Sequence, residues 1–147
     1  MCLTTITSIE TENVEGQGWK IVYPGECVSE NENEFWSEFR FLNHGAMPYN
    51  TWIERKGNVI NSPVGRYPAG FHIFTTKEDA ENYQRHSPFR FTIIVKVKYK
   101  IILAKGNQTA DPLAPPIELP CIVTQFLYVE KPNKNLKENM NDFSCVA

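Results

Sequence analysis

Apolar residues occupy every second position from Phe91 to Leu103: Phe91, Ile93, Val95, Val97, Tyr99, Ile101 and Leu103. Between them stand Thr92, Ile94, Lys96, Lys98, Lys100 and Ile102. A period of two belongs to a strand, so the run predicts a long strand with one buried face and a lysine stripe opposite. Gly106-Asn107 is its expected stop. Cys121 to Val129 is apolar on both faces apart from Thr124 and Gln125, which predicts a central strand. Trp19, Ile21 and Tyr23 share one face of a further strand stopped by Pro24-Gly25. Phe35, Phe39 and Phe41 do the same for a strand near 36–42. Residues 1–9 read as an edge strand, and Thr51-Trp52-Ile53 as a short extended piece.

One helix is expected. Tyr67-Pro68-Ala69-Gly70 reads as a turn that delivers Phe71-His72-Ile73-Phe74 into a strand. Thr75 then caps a helix, with Glu78 as the reciprocal partner of a capping box. Ala80 and Tyr83 form its inner side, and Ser87-Pro88 ends it. Four of the ten prolines lie between Asp111 and Pro120, which makes that segment an extended connector. From Lys131 onward the chain is polar and broken by Pro and Asn. The fold class expected is α+β: a mainly antiparallel twisted sheet of about five to seven strands with one or two short helices. Residues 1–130 form a single domain in this reading, and residues 131–147 a mobile tail.

Composition changes this picture little. Hydrophobic residues make up 41% of the 147 and charged residues 22%, ordinary usage for a globular chain long enough to bury a core. A net charge of -2 gives no global attraction to nucleic acid or to an anionic membrane. Charge is nonetheless uneven. Glu26, Glu30, Glu32, Glu34 and Glu38 lie together, whereas Asn82 to Ala110 holds only basic charges. The acidic loop either neutralises the basic strand or leaves two patches. Cys2, Cys27, Cys121 and Cys145 show no C-x-x-C spacing, so free thiols in a reducing compartment are expected and a metal site is not. No apolar run approaches the ~20 residues of a membrane span, and no leader opens the chain, so a cytoplasmic setting is expected.

Candidate chemistry is sparse, since no phosphate-binding glycine loop and no nucleophile elbow is present. Lys96, Lys98 and Lys100 stand ~7 Å apart along one face and could hold an anionic ligand or an acidic partner; a solvated sheet face has the same pattern. His72, flanked by Phe71 and Ile73, is either a ligand-facing base or donor, or a core residue satisfied by a hydrogen bond. Phe39-Arg40-Phe41 could stack a base while pairing its phosphate, and it equally suits a half-buried strand. The candidate binding set is Arg40, Tyr67, His72, Lys96, Lys98 and Lys100.

Trp19-Lys20-Ile21-Val22, Tyr67-Pro68-Ala69-Gly70-Phe71-His72-Ile73-Phe74 and Asp79-Ala80 resemble small uncharacterised proteins of bacteria and their phages. That resemblance, over residues 19 to 129 in outline, implies a fold and an accessory-gene context but no activity. Gly70, Phe74, Thr75, Ala80 and Tyr83 also follow the order seen in ADP-ribosyltransferase-like folds. The latter likeness implies an enzyme acting on NAD through Glu130 or Glu118, with Lys20 where such enzymes place His or Arg. The function expected is that of a non-enzymatic binding or inhibitor protein, needing no cofactor, that captures a nucleotide-like ligand or a host protein. An NAD-dependent ADP-ribosyltransferase-like enzyme and a structural or assembly protein are the alternatives. No membrane partner is expected, and the sequence carries no strong nucleic-acid signal.

Overall fold

The computed structural model describes residues 3–24, 39–40, 46–48, 50–55, 57–86, 92–110 and 117–130. Its elements in chain order are β1 (Thr5–Ser8), β2 (Glu12–Pro24), β3 (Phe39–Arg40), β4 (Ala46–Met47), β5 (Trp52–Glu54), β6 (Val59–Ser62), β7 (Gly65–Pro68), β8 (Phe71–Phe74), α1 (Lys77–His86), β9 (Ile93–Ala110) and β10 (Ile117–Val129). Every strand pairing among the described residues is antiparallel. The expected antiparallel sheet is present. With a single short helix among the described residues, the chain is mostly β.

The long strands do different work along their lengths. The first half of β9 lies between β2 and the end of β10, and its second half between β1 and the start of β10. β10 in turn pairs β8 through Cys121–Thr124 and β5 through Phe126–Tyr128. β8 meets β2 at the pair Trp19 and Phe74, so β2, β9, β10 and β8 close into a ring. Closure requires Gly18: a Cβ there would overlap Ile73 Cγ2 and stand 2.8 Å from the Phe74 carbonyl oxygen.

Three apolar clusters follow from this closure. Val22, Phe71, Ile73, Val95, Val97, Ile122, Leu127 and Val129, contributed by all four ring strands, form the largest. Ile21, Phe74, Ile94 and Leu119 pack beneath Ala80 and Tyr83 of α1. Leu3, Ala104, Cys121 and Val123 pack with Tyr67 of the β6–β7 hairpin. Burying each large side chain stabilises by roughly 1.5–3 kcal/mol, which is why both faces of β8 and β10 are apolar. No helix among the described residues is long and apolar enough to cross a membrane.

Several expectations shift by local chemistry. Tyr67 and Pro68 belong to β7 rather than to a turn, because Pro63-Val64 supply the turn and the Ser62 hydroxyl donates to the Gly65 carbonyl at 2.8 Å. The helix cap is Thr76 instead of Thr75: its Oγ1 accepts from Asp79 N at 3.1 Å, so Asp79 takes the place expected for Glu78. β9 runs through Gly106-Asn107 to Ala110, and it does not keep one buried face. At Ile101, where φ is 60°, the alternation flips, and Ile102 and Ala104 become buried in place of Ile101 and Leu103. Ile117–Pro120, expected in the connector, opens β10. The Glu-rich loop of 26–34, Ser87-Pro88, residues 111–116 and the tail from 131 lie outside the described residues.

Candidate functional site

Two polar groupings are built into this frame, one sealed inside it and one on its outer face. The inner grouping starts from the alternation of β2, which puts Lys20 in phase with core residue Val22. Only 6% of Lys20 is exposed, and its Nζ donates to the His72 carbonyl oxygen at 2.9 Å. His72, also 6% exposed, turns from that face toward the hairpin, where its Nε2 lies 3.0 Å from Tyr67 Oη. Tyr67 Oη accepts from Leu3 N at 2.9 Å, so one phenol links the N-terminal segment to β8. The two rings meet edge-on, with centroids 5.9 Å apart.

Burial sets the electrostatics here. It lowers the Lys20 ammonium from its usual 10.5 to about 8, helped by the cation of Arg55. Burial likewise lowers His72 to about 3, and the charges of Lys20 and Arg55 push the same way. His72 is therefore neutral at any ordinary pH, with one ring nitrogen a donor and the other an acceptor, and the tautomer sets the direction of its hydrogen bond with Tyr67 Oη. Cys121, wholly buried, is pushed up to about 12 by desolvation, so it carries a thiol and not a nucleophilic thiolate. These groups act as struts: each satisfies a polar atom that the packing has removed from water.

The outer grouping follows from register. Across β5, β10, β9 and β2 run two rows of side chains, Trp52–Tyr128–Lys98–Gln17 and Glu54–Phe126–Lys100–Glu15. The residues between them, Ile53, Leu127 and Tyr99, face the ring interior. Lys100 Nζ lies 4.2 Å from the centroid of the Trp52 ring, and Lys98 Nζ 5.5 Å from that of Tyr128. The Trp52 and Tyr128 rings are 5.4 Å apart, tilted by 52°. Trp52 keeps 39% of its surface exposed. Each lysine also has a carboxylate: Lys98 pairs Glu130 at 3.2 Å and Lys100 pairs Glu15 at 3.8 Å. Lys105 pairs Glu12 at 2.8 Å. The acids that answer the basic strand thus include Glu12 and Glu15 of β2.

The six sequence candidates separate accordingly. Tyr67 and His72 meet each other in the interior, while Lys96, Lys98 and Lys100 project from the outer face of β9, with Lys96 opposite Trp19. Arg40 enters through its backbone, which pairs with Tyr23 and Ala46. Glu118 and Glu130 are both exposed, at opposite ends of β10. Trp52 and Tyr128 were not legible as site residues. The signal that finds them is the pairing of β5 with β10, which joins residues 76 positions apart. Among the described residues no group of three or more His, Cys, Asp or Glu side chains could hold a metal ion. No family model matches the chain, and no curated protein or solved structure does so either.

Proposed function

We propose that the protein is a non-enzymatic binding protein that captures a nucleotide-like ligand on the outer face of the β5–β10–β9–β2 sheet. The observation that carries this reading is the exposed Trp52 ring with the Lys100 ammonium 4.2 Å from its centroid, beside the Tyr128–Lys98 pair. A nucleotide presents a flat π-face joined to an anionic group, and this face presents an aromatic surface joined to cations. Exposed ion pairs such as those to Glu15 and Glu130 contribute about 0–1 kcal/mol, so a phosphate can exchange for either carboxylate at small cost. Lys20, His72 and Cys121 have no part in capture, because burial commits them to the core.

Calorimetric titration with a nucleoside triphosphate, a cyclic nucleotide and NAD tests the reading. Binding that is lost on Trp52→Ala and weakened on Lys100→Gln is the expected result. Silence from all three ligands overturns it, and release of nicotinamide from NAD replaces it with the ADP-ribosyltransferase-like alternative.

A further inference from the structure

Resting on that reading, we infer that the preferred ligand of the outer face is a single-stranded nucleic acid laid along β9, which binds more tightly than the free mononucleotide. Shape argues first. Sites for free small molecules are concave and bury most of the ligand, whereas Trp52, Tyr128, Lys98 and Lys100 stand on the flank of a sheet. A sheet face bearing exposed aromatic side chains instead suits a strand whose bases are unstacked and laid on those rings.

Spacing argues second. Lys96, Lys98 and Lys100 recur every two residues, about 6.8 Å along the strand. That is about twice the ~3.4 Å step of a stacked nucleic-acid strand, so it suits a backbone drawn out as its bases are separated. Lys96 has Trp19 as its cross-strand neighbour, and Lys98 has Tyr128. Lys100 has Trp52 at its ammonium. Two of the three cations therefore stand against an aromatic ring, which repeats the phosphate-and-base unit of a polynucleotide twice. Trp19, beside Lys96, is half-buried against the cluster beneath α1. Glu15 and Glu130 are the groups a phosphate must displace. They make binding selective for a ligand that engages several lysines at once.

The probe is a fluorescein-labelled oligothymidylate of about a dozen nucleotides, titrated by anisotropy at several salt concentrations. Thymidine triphosphate is titrated in parallel, by calorimetry. Three phosphate contacts predict a log–log salt slope of about -2. Trp52→Ala should cost about tenfold in affinity. Lys98→Gln with Lys100→Gln should weaken binding and flatten the salt slope, and Glu15→Gln with Glu130→Gln should tighten it. Triphosphate binding at Trp52 with no tighter binding of the oligonucleotide overturns this inference and leaves the captured-nucleotide reading standing. No binding of either ligand removes both. Oligonucleotide binding indifferent to all these substitutions places it on another surface and also overturns the inference.

Discussion

Lys20 donates across the strand ring to the carbonyl oxygen of His72 at 2.9 Å, so a lysine side chain from β2 serves a backbone atom of β8. The two strands share one register pair, Trp19 with Phe74, and this hydrogen bond is a second tie across the seam. Its ammonium is costly to bury, which makes stability depend on pH.

The folded-state pKa of Lys20, about 8, lies below its ordinary 10.5. Between those values the unfolded chain binds more protons, so stability rises with pH through that window. The full shift corresponds to about 3 kcal/mol as an upper bound. Lys20→Met should abolish this rise and leave stability at pH 7 unchanged or higher, because an apolar chain of similar length replaces a desolvated charge. Urea unfolding at pH 7 and pH 10 on both proteins checks it.

His72 is shifted in the same direction, and its window lies at lower pH. Its folded pKa, about 3, is below its ordinary 6.5, so its contribution to stability is complete above 6.5 and is lost as pH falls toward 3. A proton NMR titration should show no protonation of His72 at pH 5. A His72 midpoint near 6.5 would place the ring in water.

Tyr67→Phe leaves Leu3 N and His72 Nε2 without the hydroxyl they share. Leaving a buried polar atom unsatisfied costs about 1–3 kcal/mol, so losing the partner of two such atoms should lower stability by at least that much, with nucleotide binding unchanged. A thermal unfolding scan beside the binding titration separates the two effects.

Gly18→Ala inserts a methyl group against Ile73 and the Phe74 carbonyl oxygen. Overpacking of this kind costs about 1–3 kcal/mol, and here it falls on the contact that closes the ring. Hydrogen exchange should show faster opening at β2 and β8 than at the β9–β10 ladder.

How much of this was readable in the chain depends on the range of the interaction. The strands at Trp19–Tyr23, Phe71–Phe74 and Cys121–Val129, and the helix with Ala80 and Tyr83 inside, follow from local periodicity and capping chemistry. The flip at Ile101 was hidden because Ile101, Ile102 and Leu103 are all apolar, so either face satisfies the pattern. β2 begins as early as Glu12 although Glu12–Gln17 is apolar only at the exposed Val14, because Glu12 and Glu15 there answer lysines of β9 and need no core. His72 and the lysine stripe were legible as unusual residues. That one is interior and the other exterior depends on ring closure, a long-range event that no window of sequence contains.

The central claim is that the outer sheet face is the binding surface and the Lys20–His72–Tyr67 grouping is structural. Backbone and side-chain NMR shifts followed during titration with a nucleoside triphosphate test it most directly. The account predicts perturbations at Trp52, Lys98, Lys100 and Tyr128, with Lys20, Tyr67 and His72 unmoved. Perturbations centred on Lys20, Tyr67 and His72 would contradict it.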